Sequence, residues 1–149
     1  MADDSPTTVT LKQRDGYAFD VTFAPHMPQL ATDEPPPLGH AQGPSPSHLL
    51  LAAVGNCMSS SLTFALGKFG NTAQGLATTV RGHVGRNAAN RLRVLRIEVD
   101  LQLGTTASSV AHLDRILAQF EEFCTVGASV RQGIPIDVSV FDSTGARLK

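Results

Sequence analysis

Cys57 and Cys124 are the only two cysteines in a chain of 149 residues. Cys57 lies inside "LLLAAVGNCMSSSL" and Cys124 inside "EEFCTVGAS". Such a pair is open to several uses. Free cysteine is among the most buried residue types, so both fit as small core residues. A disulfide between them would close a loop of more than sixty residues, worth roughly 4 kcal/mol by the chain-entropy estimate. As metal ligands they fall short: two thiols do not complete a four-ligand zinc site, and there is no CxxC. The five histidines (His26, His40, His48, His83 and His112) show no HxxxH spacing. The remaining use is redox chemistry. One cysteine must then be a thiolate, held by a cation, hydrogen-bond donors or a helix N-terminus. The other must reach it, to convert a sulfenic acid into a disulfide. Ala53, Gly55, Ser60 and Ser61 are small neighbours that permit close approach to Cys57, and the two serines can donate hydrogen bonds.

The bulk composition narrows the rest. The length fits a single domain over residues 1–149, large enough to bury a core without staples. A net charge of −1 argues against a nucleic-acid partner. The basic stretch Arg81, Arg86, Arg91, Arg93 and Arg96 is followed at once by Glu98 and Asp100 and reads as solvated strand faces. The start "MADDSPTTV" has no basic region and no apolar core of a secretory signal. No run approaches the ~18 apolar residues of a membrane span. The expectation is a cytoplasmic protein without membrane contact, in a compartment that keeps thiols reduced.

The elements that must position the cysteines follow from periodicity. Tyr17, Phe19, Val21 and Phe23 alternate with Ala18, Asp20 and Thr22 after the turn signal "QRDG", which predicts an N-terminal hairpin with one buried face. "ATDEPPPLGHAQGPSP" is a proline-rich loop, in which Asp33 and Glu34 read as solvated or hydrogen-bonded to backbone, and as too exposed for acid–base catalysis. Ser45 is a good N-cap and Pro46 suits the first helical position. The helix that follows is apolar nearly all round, which predicts burial, and Gly70 and Asn71 end it. "GLATTVRGHVGR" and "LRVLRIEVDLQL" read as two strands, and "GIPIDVSVFD" as a last one. Val110, Leu113, Ile116, Leu117, Phe120 and Phe123 predict a second helix over 108–124, ending near Cys124. Strands and helices do not alternate strictly, which favours α+β with an antiparallel sheet.

"GPSPSHLLLAAVGNCMSSSL", with "FCTVGASVRQGIPIDVSV" some sixty residues later, resembles the OsmC/Ohr family over nearly the whole chain. "TDEPPP" before the Gly-Pro-Ser-Pro turn is similar to its general OsmC-like branch. The resemblance implies an intertwined α+β homodimer, with antiparallel sheets wrapped around two central helices and sites at the subunit interface. It implies a thiol-dependent peroxidase that reduces organic hydroperoxides in oxidative-stress defence. Cys57 would be oxidised to a sulfenic acid and Cys124 would condense with it to a disulfide. A dithiol reductant would reset the enzyme, with no metal or organic cofactor.

Burial of the site would select organic peroxides, since apolar contact gives about 25 cal/mol per Å². It would also raise the thiol pKa unless something positive compensates, which an arginine can do. The peroxidase branch carries an arginine in its N-terminal region and a glutamate near the start of the central helix. Arg14 matches the first at a comparable distance before Cys57, and reads equally as the thiolate partner or as a solvated turn arginine. Ser47 or His48 stands in place of the glutamate. With Ser45 as N-cap, position 48 is where a glutamate would complete a capping box. Arg14 and His48 are therefore the substrate-side candidates. Asn56, Arg131 and His112 read most simply as packing or surface residues. A non-catalytic protein of the same fold, binding a small apolar or thiol-reactive ligand at the dimer interface, is the alternative function.

Overall fold

The period-two pattern at the N-terminus does form a hairpin. In the computed structural model, which describes residues 5–149, β1 (Thr10–Asp15) pairs antiparallel with β2 (Ala18–Thr22), and β3 (Leu30–Thr32) adds to β2. The turn places Gly16 at φ 51°, a left-handed conformation that glycine adopts without strain. The predicted buried face is largely absent. Within β1 and β2 only Val21 is buried, and Leu11 and Tyr17 stay half exposed. These strands belong to the first of two compact units, Met1–Leu49 and Leu50–Lys149. Among its described residues that unit has no helix beyond the first turn of α1 (Pro46–Lys68) to cover a sheet face.

The proline-rich loop is ordered around a buried carboxylate, not a solvated one. Asp33 is 3% exposed. It accepts from the backbone N–H of Glu34 at 2.8 Å, His40 at 2.9 Å and Gln42 at 3.2 Å. The hydrogen bond from His40, ahead of those from Gln42 and Glu34, holds its carboxyl below the usual range despite burial. A carboxylate that accepts several N–H groups is satisfied as an anion, which is why an acidic residue can sit inside this loop.

α1 starts at Pro46 as its cap predicts. Val54, Gly55, Met58, Ser61, Leu62, Ala65 and Leu66 are its buried side. The expectation of all-round burial fails for the opposite side, where Ala52, Ala53, Asn56, Ser60, Thr63 and Phe64 are exposed. By length and composition α1 is also apolar enough to cross a membrane, contrary to the sequence expectation; its long aliphatic residues instead fill a core.

That core lies in the second unit. β4 (Ala77–Arg86), β5 (Leu92–Gln102) and β6 (Ile136–Phe141) form a sheet in that order. Ile97, Val99 and Leu101 of β5, Leu103 beyond it and Val140 of β6 pack with the buried side of α1. Gly55 makes close approach to β4 possible, because a Cβ there would stand 2.6 Å from Val80 Cγ2. The arginines on the outer face are paired as the sequence suggests: Arg81 with Glu98 and Asp100, and Arg96 with Glu98.

Two expectations need correction here. β4 and β5 pair antiparallel, but β5 and β6 pair parallel. Helical segments between them carry the chain back to begin β6 in the direction of β5, the crossover that a parallel pair requires. The helix expected over 108–124 is also broken into pieces. A 3₁₀ turn (Ala107–Ser109), α2 (Leu113–Gln119), a second 3₁₀ turn (Phe120–Phe123) and α3 (Thr125–Val130) follow one another. Val110, Ile116, Leu117 and Phe120 still reach the core. The stretch breaks first at Val110 and His112, and Cys124, whose extended backbone (φ −87°, ψ 91°) cannot continue a helix, separates it from α3.

Candidate active site

The break at Cys124 creates the site. Because the chain leaves the helix there and re-enters it at Thr125, Cys124 is the N-cap of α3. Its sulfur accepts the Gly127 N–H at 3.2 Å, the bond that a capping side chain makes to the third helical residue. Gly127 is needed for this geometry, since a Cβ would come within 2.7 Å of Cys124 Sγ and 3.1 Å of Met58 Cε. The Glu121–Arg131 ion pair joins the turn before Cys124 to the residue that ends α3. Lys149 Nζ reaches the same glutamate at 2.6 Å.

Cys57 comes to this cap from the side of α1. The two thiols, free of any disulfide, lie close enough that each shifts the pKa of the other. Cys57 is half-buried and Cys124 is 1% exposed. Burial pushes the Cys57 thiol up. Donation to its sulfur from the Cys124 thiol and from the backbone N–H of Val126, Gly127 and Thr125 more than offsets that, and its pKa falls below an ordinary thiol's. Cys124 goes the other way. Burial raises it first, then its bond to Cys57, with partial relief from the Gly127 N–H and the Ser61 hydroxyl. Of the two thiols, Cys57 is therefore the first to ionise and Cys124 the one that keeps its proton.

An open cleft of about 400 Å³ gives access to Cys57, lined also by Ser60, Ser61, Phe64 and Phe123. The Phe64 and Phe123 rings meet edge to face with centroids 5.3 Å apart. The arrangement can present a thiolate to an electrophile lodged among apolar walls, with a second thiol held close to it. The backbone N–H groups of α3 that act on the two sulfurs carry no obvious mark in the sequence. The signal that could have found them is Gly127 three residues after Cys124, the spacing at which a capping side chain meets a backbone N–H.

The other sequence candidates have local partners. Arg14 Nε lies 3.4 Å from Asp20 Oδ1, across the first hairpin. His48 completes the cap of α1: its Nδ1 lies 3.2 Å from the Ser45 N–H, and its own N–H donates to Ser45 Oγ at 3.4 Å. Those are the two reciprocal bonds of a capping box, with imidazole in the role of a carboxylate. Asn56 accepts from the Ser60 hydroxyl at 3.4 Å on the exposed side of α1. His112, at φ 58°, precedes α2 and stacks on Phe69 with centroids 5.0 Å apart. Among the described residues no group of three His, Cys, Asp or Glu side chains is placed to hold a metal ion.

Comparison with known proteins places this architecture. The family model of the OsmC-like proteins matches residues 39–139. An OsmC-like protein of unknown function from Vibrio cholerae superposes with a TM-score of 0.77 at 15% identity, over 92% of this chain and 99% of that one. An OsmC-like protein from Mycoplasma pneumoniae gives 0.76 at 16% identity, covering 94% and 99%. An organic hydroperoxide resistance protein from Elizabethkingia anophelis gives 0.74 at 14% identity, covering 94% and 98%. A search of curated proteins finds no significant match.

Proposed function

The chain belongs to the family of OsmC-like proteins, and from that premise we propose that it is a thiol-dependent peroxidase reducing organic hydroperoxides to alcohols. The observation that carries this reading is the opposite displacement of two neighbouring thiols, Cys57 down and Cys124 up, beside an open apolar cleft. The Cys57 thiolate attacks the terminal peroxide oxygen. The O–O bond breaks, the alkoxide takes a proton and leaves as the alcohol, and Cys57 becomes a sulfenic acid. Cys124 then attacks the Cys57 sulfur. A disulfide forms, and the departing hydroxide leaves as water with the proton from Cys124. A dithiol reductant returns both thiols by exchange. The organic hydroperoxide is favoured over hydrogen peroxide because its alkyl part buries against Phe64 and Phe123.

A homodimer in a reducing, cytoplasmic compartment is part of the same proposal. Exposed apolar side chains support the dimer: Val84, Leu92 and Leu95 at one end of the β4–β5 hairpin, and Leu11, Tyr17 and Phe23 in the N-terminal unit. Arg14 and His48 remain candidates for contact with substrate, although each already serves another group.

A second reading is a non-catalytic protein that holds an apolar or thiol-reactive ligand in the cleft. It is favoured by His48 capping α1 where the peroxidase branch carries glutamate. Turnover separates the two. With a bulky hydroperoxide and a dithiol, the wild type should consume peroxide catalytically and Cys57→Ser should not. Absence of turnover in the wild type, with both thiols intact, overturns the peroxidase reading.

A further inference from the structure

Cys124 stands in a turn that one carboxylate ties down at both ends. The Cys124 N–H donates to the carbonyl of Glu121 at 3.1 Å, and its own carbonyl accepts the Ala128 N–H at 2.8 Å. The side chain of Glu121 is 17% exposed and binds two cations. Arg131, which ends α3, pairs with Oε2, and Lys149 Nζ lies 2.6 Å from Oε1. Lys149 Nζ also donates to the Leu117 carbonyl of α2 at 2.8 Å. The Leu148 N–H beside it donates to the Val140 carbonyl of β6 at 2.7 Å. Glu121 therefore joins the start of the turn to the end of α3, to α2 and to the sheet. Burial pushes its carboxyl up, and Lys149 and then Arg131 more than offset that, so it is ionised at neutral pH. Glu122, next in the chain, is exposed and forms no ion pair among the described residues.

We propose that Glu121 is a positioning residue for the second thiol: it holds the turn so that Cys124 Sγ is aimed at the Cys57 sulfur when that sulfur becomes electrophilic. Orientation counts at that step, because Cys124 must approach in line with the leaving group. In the peroxidase cycle its attack forms the S–S bond and breaks the S–O bond of the Cys57 sulfenic acid. The departing hydroxide takes the Cys124 proton and leaves as water. That place in the cycle rests on the peroxidase reading; the aim of one sulfur at the other does not. Electrostatics alone would act in the opposite direction. Neutralising Glu121 would leave Arg131 and Lys149 uncompensated beside the turn, which favours the Cys124 thiolate and speeds its attack. A slower attack is therefore the mark of lost position.

The test uses the full-length reduced protein and dithiobis(nitrobenzoate), an aryl disulfide, followed by stopped flow with no peroxide present. Cys57 attacks the reagent and releases one coloured thiolate. Cys124 then attacks the Cys57 sulfur, forms the Cys57–Cys124 disulfide and releases the second. The two phases separate the reactivity of the first thiol from the approach of the second. Glu121→Gln should slow the second phase by about tenfold and leave the first unchanged, since a small misplacement of a reacting group can cost up to about a hundredfold. Arg131→Gln should slow the second phase too, and Arg131→Lys should keep most of its rate. The double variant Glu121→Gln/Arg131→Gln should be no slower than Glu121→Gln, because the two side chains act as one unit. Glu122→Gln, the same charge change one residue on, should match the wild type in both phases. A second phase that is unchanged or faster in Glu121→Gln overturns the inference, as does equal slowing of both phases, the sign of a generally loosened fold. Release of fewer than two equivalents by the wild type overturns it as well. The predicted slowing in a protein that consumes no hydroperoxide would overturn the peroxidase reading and leave the positioning role standing.

Discussion

Cys124 lowers the pKa of Cys57 while its own sulfur accepts from the Gly127 N–H, so one residue serves both as partner of a thiolate and as cap of a helix. This double engagement orders the pair chemically. The thiol that holds the proton is also the one fixed in the backbone, and the thiol that carries charge is the one facing the cleft.

The first consequence is a pH dependence. Cys57 should react with iodoacetamide along a titration whose midpoint lies below that of an ordinary thiol, because the thiolate is the reacting form. Removal of the donor in Cys124→Ala should move that midpoint up; Cys124→Ser retains a hydroxyl donor and should move it less. A midpoint unchanged in Cys124→Ala would show that the N–H groups of α3 suffice alone.

Gly127→Ala tests the packing at the cap. The new methyl cannot enter without displacing Cys124 Sγ or Met58 Cε, and overpacking of this kind costs about 1–3 kcal/mol. Chemical denaturation should report that loss. Disulfide formation should slow more than Cys57 alkylation, since the displaced atom belongs to Cys124. A variant as stable as the wild type would show that the turn yields freely.

At the other cap, Ser45→Ala should destabilise by about 1 kcal/mol, the usual cost of losing an N-cap side chain. His48→Glu restores a carboxylate at the third helical position and should be at least as stable as the wild type, because an anion there also meets the favourable end of the helix dipole. Thermal melts of the three proteins check both statements. A marked loss in His48→Glu would mean that imidazole makes contacts beyond the cap.

Acid stability should depend on Asp142. Hydrogen bonds from the Thr144 hydroxyl and the Ala107 N–H, then from the N–H groups of Thr144 and Ala146, lower its pKa from 3.8 to about 2 despite burial. A carboxyl depressed on folding contributes stability above its unfolded pKa and loses it as pH falls toward the folded value. Asp142→Asn should therefore be less stable than the wild type near neutrality, and the gap should close between roughly pH 4 and pH 2. A gap that stays constant over that window would contradict the assignment.

Much of this was legible in the chain. Ser45-Pro46 announces the start of α1, and the alternation of Ile97, Val99 and Leu101 announces a core strand, because both signals depend on local geometry alone. The convergence of Cys57 and Cys124 followed from a family resemblance, not from spacing; in the structure each thiol shifts the pKa of the other. An end of the helix near Cys124 was legible; its breaks before that point and the re-entry into α3 were not, because Val110, Ile116, Leu117 and Phe120 keep helical spacing and a cysteine is not a familiar capping residue. Nor was the parallel pairing of β5 and β6, since strand direction depends on where the intervening helices deliver the chain. For Asp33, hydrogen bonding to backbone was one of two legible alternatives, but its burial was not, since nothing in an aspartate among prolines shows how many N–H groups will enclose it.

The central claim is that Cys57 and Cys124 act as one redox unit. The most direct measurement is to add one equivalent of a bulky organic hydroperoxide to the reduced protein, count free thiols and map linked peptides. The account predicts loss of both thiols, a single Cys57–Cys124 linked peptide, recovery with a dithiol, and a trapped sulfenic acid on Cys57 in Cys124→Ser. Two thiols that survive excess hydroperoxide, or an oxidised Cys57 beside a Cys124 that stays free, would contradict it.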